Sequence, residues 1–233
     1  MYAMILAGGK GERLRPLTDT LPKPMVPVCG KPILGHQVEW LTGAGVTDVV
    51  FLSGYLSQTI EEYFGDGSRF GMRAHYSVED SPLGRGGAIR HGFRLVPEEE
   101  ETLLVLNGDI ITDQSLKSLM DRHREKKDID PTYLATLMVV PMISPYGLVD
   151  LGAQDQVLGF REKVEMPHWI NAGVYVFERR IAEELPELGD HETETFPRLA
   201  EDGKISALRC SGFWRSVDSF KDLREAEEFM QGR

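Results

Sequence analysis

Cysteine is scarce in this chain of 233 residues, which contains only Cys29 and Cys210. Two cysteines cannot form the disulfide framework of a small secreted domain. Long apolar runs are also missing, since none approaches the roughly 20 residues of a membrane helix. The apolar stretch at the start is too short for a signal peptide, and Lys10 and Arg13 follow it rather than precede it. We therefore expect a cytoplasmic protein with no membrane partner.

Basic residues are in the minority. The chain has 26 lysines and arginines against 37 acidic residues, a formal net charge of −11. General nucleic-acid binding requires a basic face, so this balance argues against a nucleic-acid partner. Residues 1–40 are the exception, because they contain five basic and three acidic residues. A locally positive segment in an acidic chain is where a small anionic ligand is expected.

Short apolar runs alternate with amphipathic stretches along the first half of the chain. This pattern predicts strands at 3–7, 46–52, 73–77 and 103–107, and helices at 33–43, 57–64 and 114–127, with a further helix that follows the glycine loop SPLGRGG (81–87) and ends at about residue 93. Such alternation implies an α/β fold, a mainly parallel sheet with helices on both faces. Strand-like runs at 132–141, 157–160 and 169–177 are expected to complete the sheet and add a small lid before a terminal helix at 219–231. We find no internal repeats.

A glycine-rich turn follows the first predicted strand, in the sequence AGGKGERL of residues 7–14. Small residues let the backbone approach a ligand, and free N–H groups can hold a phosphate. The turn is not a dinucleotide fingerprint, since Leu14 stands where the third glycine of G-x-G-x-x-G belongs, and no P-loop string occurs. The alternative interpretation is a tight turn that carries charged side chains and binds no ligand.

Lys23 lies between two prolines, in Pro22-Lys23-Pro24. The prolines restrict the backbone and thus the freedom of the lysine, which suits a lysine held against an anion. A solvated lysine in a surface loop is the alternative if the tripeptide is taken alone.

Taken together, these strings resemble the signature of the sugar-1-phosphate nucleotidyltransferases, the NDP-sugar pyrophosphorylases. The similarity runs through residues 4–34 (MILAGGKGERLRPLTDTLPKPMVPVCGKPIL) and continues through LGRGGA at 83–88, NGD at 107–109, YGLV at 146–149, EK at 162–163, NAGVY at 171–175 and FWRSVDS at 213–219. Within that family the mannose-1-phosphate and heptose-1-phosphate guanylyltransferases are the subgroup that the chain resembles. The order and spacing of seven matches make coincidence a poor explanation.

The resemblance implies a single domain over 1–233 with the nucleotide-diphospho-sugar transferase fold, a Rossmann-like three-layer sandwich with a mostly parallel mixed sheet. Residues 1–130 would form the nucleotide-binding half, and residues 131–233 the sugar-phosphate-binding half and terminal helix. No hexapeptide-repeat domain is expected. The implied reaction joins an NTP and a sugar 1-phosphate into an NDP-sugar and releases pyrophosphate. A homodimer is a possible assembly.

The resemblance also implies roles for individual residues. Arg13 and Lys23 would be catalytic, by gripping the leaving phosphates and by neutralising charge at the α-phosphate. Asp109 and Asp218 would hold Mg²⁺, which commonly takes one or two carboxylates; the alternative for each is a helix cap. The implied nucleotide-binding residues are Leu6, Ala7, Gly8, Gly9, Gly11, Glu79, Gly84 and Asn107. The implied sugar-phosphate-binding residues are Gly147, Glu162, Lys163, Asn171 and Gly173.

Three motifs depart from the family pattern. Arg85 stands where the glycine loop usually has threonine and Gly86 where it often has alanine, Val164 replaces the proline of E-K-P, and Ser216 stands at the aspartate of the common D-I-G-T-P ending. The metal role of Asp218 therefore depends on the alternative F-W-x-x-x-D-T ending. Aromatic residues mostly fill cores, so Tyr146, Tyr175 and Trp214 are expected to pack rather than to bind ligand.

The identity of the nucleotide base is the feature that the sequence constrains least. Glu79 aligns with the base contact, and a carboxylate only accepts hydrogen bonds. Guanine offers adjacent N1–H and N2–H donors, so we predict GTP first, then UTP or dTTP, with CTP and ATP disfavoured. The F-W-x-x-x-D-T ending also resembles that of cytidylyltransferases, and a solvated Glu79 is the alternative to base reading. A catalytically idle sugar-nucleotide-binding regulator on the same fold is the competing function.

Overall fold

The strands and helices follow the alternation that the sequence predicts. The computed structural model describes residues 1–232. Its strands are β1 (Tyr2–Leu6), β2 (Pro27–Val28), β3 (Lys31–Pro32), β4 (Asp48–Ser53), β5 (Arg73–Val78), β6 (Thr102–Asn107), β7 (Ile110–Thr112), β8 (Ala135–Ile143), β9 (Leu148–Leu151), β10 (Val157–Arg161), β11 (Glu165–Glu178), β12 (Ile205–Arg209) and β13 (Trp214–Ser216). Its α-helices are α1 (Ile33–Gly43), α2 (Ser57–Phe64), α3 (Gly84–Gly92), α4 (Leu116–Ile129), α5 (Thr195–Glu201) and α6 (Phe220–Gln231).

The main sheet has seven strands among the described residues, in the order β12-β8-β11-β6-β1-β4-β5. Strands β6, β1, β4 and β5 are parallel, whereas β11 runs antiparallel to both β6 and β8. The sheet is therefore mixed and mostly parallel, as predicted. The chain leaves β1 toward β4 on one side and returns to β6 on the other. Ligands of such sheets bind at this switch point, beyond the carboxyl ends of the strands.

Both faces of the sheet are buried, which explains why β1 reads as a continuous apolar run. Ala3 and Ile5 face the core cluster beneath α1 and α2, whereas Tyr2 and Met4 face the cluster beneath α3 and α5. Burial of this kind supplies the main favourable free energy of folding. The result is a rigid platform of strands whose carboxyl ends meet at one edge.

The predicted strand at 157–160 is present as β10, but it does not complete the main sheet: it pairs with β9, which the sequence patterns did not reveal, in a two-stranded ribbon outside that sheet. Strands β7 and β13 were not predicted either, and they form a small antiparallel pair. Tyr175 is fully buried and Trp214 partly buried, as expected. The expectation for Tyr146 was wrong: its side chain is 77% exposed, because it lies just before the ribbon rather than over the sheet. None of the helices formed by residues 1–232 has the length and apolar character needed to cross a bilayer.

Candidate active site

The glycine-rich turn and the Gly108-Asp109 turn lie side by side. The register pairs Leu6 at the end of β1 with Asn107 at the end of β6, and the Gly108 N–H donates to the Leu6 carbonyl at 2.9 Å. A Cβ on Gly108 would collide with that carbonyl oxygen. Glycine at this position therefore allows the two turns to approach closely at the switch point of the sheet.

Lys23 joins two carboxylates from distant parts of the chain. Its ammonium donates to Asp109 Oδ2 and, at 2.8 Å, to Asp218 Oδ1. The Lys23 side chain is only 11% exposed. Burial alone would lower the pKa of Lys23, but the charge and hydrogen bonds of the two carboxylates outweigh it and raise that pKa. The lysine is therefore a permanent cation at neutral pH.

Asp218 reaches this cluster because β13 pairs with β7. Ser216 lies opposite Ile110, and the Val217 N–H donates to the Asp109 carbonyl at 2.8 Å. The hydroxyl of Ser216 donates to Asp218 Oδ2 at 2.9 Å, so the serine at this departure from the family pattern supports the carboxylate. Burial would raise the pKa of Asp218, whereas its hydrogen bond to Lys23 and the Lys23 charge lower it.

Arg13 contacts the same carboxylate from the solvent side. Its Nη2 atom lies 2.6 Å from Asp218 Oδ1, yet its side chain is 74% exposed. Arg13 belongs to a short 3-10 turn that begins after Gly11, whose φ of 63° is the left-handed conformation that glycine favours. A Cβ on Gly11 would lie 2.7 Å from Lys23 Cβ, so the glycine also makes room for the lysine.

A cavity of about 340 Å³ opens beside this cluster. That size is within the range of small-molecule sites. The cavity brings together most of the nucleotide-side residues that the sequence predicts: Leu6, Gly8, Gly9, Lys23, Glu79, Gly84, Asn107 and Asp109. Ala7, Gly11, Arg13 and Asp218 do not line it, and Ala7 is fully buried.

Six further residues line the cavity and were not among the predicted site residues: Pro24, Leu52, Pro82, Arg85, Ala88 and Gly108. Leu52, Pro82 and Ala88 add apolar surface. Pro24, Gly108 and Arg85 all lie within motifs identified in the sequence. Each is adjacent in sequence to a predicted site residue, and this adjacency could have predicted them. Leu52 is the second-last residue of β4 and lies opposite Leu6, which is a relationship that only the register reveals.

Arg85 anchors the start of helix α3 to the segment after Gly189. Its Nε atom donates to Asp190 Oδ2 at 2.7 Å, and its Nη1 atom lies 2.9 Å from Glu192 Oε1. Gly84 adopts a left-handed φ of 75°, and a Cβ there would collide with the Gly189 carbonyl. The glycine loop is therefore held closely against the residues that follow Gly189.

Glu79 lines the cavity with one carboxylate oxygen already engaged. The Leu83 N–H donates to Glu79 Oε2 at 2.5 Å. The other oxygen, Oε1, lies beside Gly8, where a Cβ would come within 3.0 Å. Glu79 thus bridges the loop before α3 and the glycine-rich turn at the wall of the cavity.

The predicted sugar-side residues lie outside this cavity, in two groups. Gly147, Glu162 and Lys163 lie at the base of the ribbon, where a Cβ on Gly147 would come within 2.9 Å of Glu162 Oε1. Asn171 and Gly173 lie on β11, and Gly173 abuts the side-chain amide of Asn107. Asn107 Oδ1 is buried there without a hydrogen-bond partner.

The hydrogen bonds of Asn171 are directed inward. Its Nδ2 atom donates to the Tyr175 hydroxyl at 2.7 Å and to Glu192 Oε1 at 3.1 Å, and its Oδ1 atom accepts from the Gly173 N–H. The Tyr175 hydroxyl also donates to Glu192 Oε1 at 3.0 Å. Asn171 therefore holds Glu192, and with it Arg85, at the boundary between the two halves of the chain.

The cluster of Lys23, Asp109 and Asp218 offers carboxylate oxygens as metal ligands. Among residues 1–232, no three His, Cys, Asp or Glu side chains are grouped so that they could hold a metal by themselves. Asp109 and Asp218 nevertheless both point at one cationic atom, Lys23 Nζ. Two carboxylates around one positive charge are a donor set that Mg²⁺ uses when phosphate oxygens and water complete its shell.

Comparison with known proteins identifies related sequences. The model of the family described as "Nucleotidyl transferase" matches residues 2–233. The mannose-1-phosphate guanylyltransferase of Mycobacterium tuberculosis is 37% identical over 99% of this chain and 63% of its own length. The UTP–glucose-1-phosphate uridylyltransferase of Synechocystis is 34% identical over 97% of this chain and 62% of its own length. The chain thus spans less than two thirds of these curated relatives.

Solved structures share the fold. HddC from Yersinia pseudotuberculosis superimposes with a TM-score of 0.76 at 25% identity, covering 98% of this chain and 99% of that one. A putative glucose-1-phosphate thymidylyltransferase from Bacillus anthracis gives a TM-score of 0.79 at 22% identity and covers 100% of this chain and 96% of that one. These similarities confirm the predicted α/β architecture with its mostly parallel mixed sheet.

Proposed function

Because this chain belongs to the nucleotidyl transferase family, we propose that it transfers a nucleotidyl group from an NTP to a sugar 1-phosphate and releases pyrophosphate. One observation carries this proposal. Lys23, Asp109 and Asp218 converge beside the Gly8-Gly9 turn, at the edge of the cavity. A buried cation, two carboxylates and a glycine turn are the parts needed to bind and align phosphates.

In the proposed reaction, an oxygen of the sugar phosphate attacks the α-phosphorus and the bond to the pyrophosphate oxygen breaks on the opposite side. Such a transfer needs alignment and charge neutralisation rather than a protein nucleophile. Lys23 supplies a fixed positive charge where charge develops on the α-phosphate. Arg13 is 74% exposed and contacts Asp218 from the solvent side, so its guanidinium can turn toward the leaving phosphates.

Mg²⁺ is the cofactor in this proposal, and the residues present fit it. Asp109 and Asp218 would hold the ion, which neutralises phosphate charge when it is bound. Asp218 Oδ1 is shared by Arg13 and Lys23, so substrate phosphates that draw these cations away would free the oxygen. The hydrogen bond from Ser216 to Asp218 Oδ2 would keep the Asp218 carboxylate in its orientation while Oδ1 changes partners.

The nucleotide is proposed to lie in the cavity, with GTP preferred. Leu52, Pro82 and Ala88 provide an apolar surface for the base, and the Gly8-Gly9 turn and Lys23 line the same cavity. Glu79 is the acceptor at the base end. A carboxylate oxygen has two lone pairs, so Glu79 can accept from guanine while it also accepts from Leu83. Mannose-1-phosphate guanylyltransferases among the relatives are consistent with GTP.

The sugar phosphate is proposed to bind on the side of residues 131–233. Lys163 supplies a point charge for its phosphate, and Glu162 and the backbone at Gly147 are available to its hydroxyls. Gly173 lies directly against Asn107 of the nucleotide-binding half, which places the two halves, 1–130 and 131–233, in contact at this point. Asn171 contributes by holding Glu192 in place.

Pyrophosphate release tests the proposal. The chain is incubated with Mg²⁺, a panel of NTPs and several sugar 1-phosphates, and release is compared between wild type, Lys23→Met and Lys31→Met. Lys31 is a matched control, since it pairs with Glu39 outside the cavity. We expect turnover in wild type and Lys31→Met, and a loss of about 10²-fold or more in Lys23→Met. Folded wild type that binds sugar nucleotide without releasing pyrophosphate would favour the regulatory alternative instead.

A further inference from the structure

Arg85 has hydrogen-bond donors left over at the edge of the cavity. Its guanidinium carries five N–H groups and no acceptor. Nε and Nη2 contact Asp190 Oδ2 at 2.7 and 2.5 Å, and Nη1 contacts Glu192 Oε1 at 2.9 Å. Each contact occupies one N–H group, which leaves two for a ligand in the part of the chain that the structure describes. The side chain lines the cavity and is 41% exposed, so a ligand can reach these two donors.

The same contacts hold the Arg85 side chain in one place before any ligand binds. Glu192 Oε1 also accepts from Asn171 Nδ2 at 3.1 Å and from the Tyr175 hydroxyl at 3.0 Å. The Glu192 N–H in turn donates to Asp190 Oδ1 at 2.9 Å. Ordering a long side chain on binding opposes affinity. Because Arg85 is already ordered, its two remaining donors can bind a ligand with little further loss of entropy.

Arg85 lies where the cavity adjoins the proposed sugar side. Through Glu192 it is connected to Asn171, and the side-chain amide of the cavity residue Asn107 lies against Gly173. Asn171 and Gly173 both belong to strand β11 and to the residues that the sequence assigns to the sugar phosphate. The wall of the cavity that carries Arg85 and Asn107 is therefore the wall next to the sugar side.

We propose that Arg85 is a specificity-determining residue whose two remaining N–H groups donate to hydroxyl groups of the sugar. This step rests on the proposed function, in which Glu79 serves the base and Lys23 the phosphates. The sugar is the part of the product that lies toward β11 in that function, and its hydroxyl oxygens can accept from both N–H groups. A hydrogen bond from a charged donor is roughly twice as strong as a neutral one. The threonine that is usual at this position in related loops is shorter and offers a single donor, so the contact belongs to chains with arginine here.

The charge next to Arg85 favours neutral sugars. Asp190 and Glu192 bring two negative charges to the single positive charge of the guanidinium. A uronic acid would add a further carboxylate to this net negative group, and such repulsion is a common source of specificity. The expected substrate is therefore a neutral sugar 1-phosphate that retains the hydroxyl groups of its ring.

Calorimetric titration with GDP and GDP-mannose, and with UDP and UDP-glucose, tests the contact without turnover. Only the second ligand of each pair carries the sugar. Wild type is compared with Arg85→Met and with Arg90→Met, a control on the same helix whose guanidinium donates to the Leu185 carbonyl and does not line the cavity. In the pair that wild type binds, Arg85→Met should weaken the sugar nucleotide by about 10-fold or more and leave the nucleoside diphosphate unchanged. Arg90→Met should change neither affinity.

Equal weakening of both ligands of a pair would show that Arg85 acts on the nucleotide or on the glycine loop, and it would overturn the proposal. Unchanged binding in Arg85→Met, or a wild type that binds neither sugar nucleotide, would overturn it as well. If Arg85→Met is unfolded by circular dichroism, Arg85→Lys provides the same comparison, since it keeps the charge between the carboxylates but not the planar fork. A wild type that binds a sugar nucleotide but releases no pyrophosphate would contradict the proposed function alone.

Kinetics with deoxygenated sugars separate a direct contact from a structural role. The substrates are mannose 1-phosphate or glucose 1-phosphate, whichever the wild type uses, and its monodeoxy analogues. Loss of the contacted hydroxyl should raise the KM of wild type several-fold, whereas Arg85→Met should show equal KM values for the parent sugar and that analogue. A uniform rise for the parent and every analogue in Arg85→Met would indicate a structural role and overturn the contact.

Glu192→Gln tests the expected class of sugar. The change removes one negative charge beside Arg85 and keeps an oxygen acceptor for it. In competition, wild type should use the neutral sugar 1-phosphate in preference to the matching uronic acid 1-phosphate, and this preference should narrow several-fold in Glu192→Gln. Preferred use of the uronic acid by wild type, or an unchanged ratio in folded Glu192→Gln, would overturn the expected class.

Discussion

Arg85 and Glu192 connect the two halves of the molecule through one carboxylate oxygen. Glu192 Oε1 lies 2.9 Å from Arg85 Nη1 and also accepts hydrogen bonds from Asn171 and the Tyr175 hydroxyl. The arginine stands where the related glycine loops usually have threonine, which is too short to make this contact. The glycine loop that lines the cavity is thereby fixed to strand β11, in the half of the chain that we propose binds the sugar phosphate.

Removing this connection should destabilise the fold measurably. Arg85→Ala leaves Asp190 and Glu192 without their cation, and both pairs are partly exposed, so solvent screening limits the loss of unfolding free energy to about 1 kcal/mol. A double-mutant cycle with Glu192→Gln in urea should show coupling between the two sites. Arg124→Ala, which removes an exposed pair with Asp121, is the control and should change the unfolding free energy by less than about 0.5 kcal/mol. Additive effects of the two changes would show that Arg85 and Glu192 act independently.

Asp109 should be essential for turnover. Asp109→Asn keeps the shape of the side chain but removes the charge that faces Lys23 and, in the proposed complex, Mg²⁺. We expect kcat to fall by about 10²-fold or more, comparable to the loss of another major electrostatic stabiliser. Asp218→Asn should act in the same direction. The measurement is pyrophosphate release across a Mg²⁺ titration, with folding checked by circular dichroism. Near-normal turnover of folded Asp109→Asn would exclude Asp109 as a metal ligand.

Lys163 and Arg13 should affect different substrates. Lys163 lies at the base of the ribbon, whereas Arg13 lies beside the glycine-rich turn and contacts Asp218. Lys163→Ala should therefore raise the KM mainly for the sugar phosphate, and Arg13→Ala should mainly impair use of the NTP. Initial rates with each substrate varied in turn separate the two effects. If both variants affect both substrates equally, this division of roles is wrong.

The local parts of the site could be predicted from the sequence because short motifs encode them. The amphipathic spacing at 57–64 predicted helix α2 with the ends that the structure shows. The glycine turn and the Lys23 tripeptide were also visible, since glycine and proline act on the backbone next to them. The family resemblance that these strings carry is confirmed by the match over residues 2–233.

The long-range parts of the site could not be read in the same way. Strands β7 and β13 have three residues each, too few to show a period, yet their pairing brings Asp218 to Lys23 across 195 positions of the sequence. Arg85 likewise forms a hydrogen bond with Asp190, which lies 105 positions away in the sequence. Tyr146 was expected in the core because aromatic residues are usually buried, but it precedes a ribbon that stands away from the sheet.

His191 should make stability depend on pH. The ring is fully buried among Tyr175, Phe177 and Phe196, and burial lowers the pKa of His191 to about 4, although Asp190 opposes this shift. The unfolded chain takes up a proton near pH 6.5, before the folded protein does. The folded protein, which holds His191 neutral, is therefore fully stable with respect to this group above pH 6.5. As the pH falls toward 4, the unfolding free energy decreases by up to about 3 kcal/mol.

Urea unfolding at a series of pH values checks this dependence on His191. His191→Phe retains an aromatic ring in the same packing and should flatten the curve between pH 4 and 6.5. His168→Phe, at an exposed position, is the control and should leave the slope as it is in wild type. An unchanged slope in His191→Phe would assign the pH dependence to other groups.

Glu79 should set the preference for the base. The carboxylate accepts from the Leu83 N–H through Oε2 and has Oε1 beside Gly8, at the wall of the cavity. Guanine presents two adjacent N–H donors to such an acceptor, whereas uracil and thymine present one, so GTP should be used first in an equimolar NTP competition. Glu79→Gln replaces one acceptor oxygen by a donor NH₂ group. The GTP advantage should then shrink by about 10-fold or more, since a hydrogen bond to a charged group contributes about 1.5–3 kcal/mol. Preferred use of CTP or ATP by the wild type, or an identical ranking in Glu79→Gln, would show that Glu79 does not read the base.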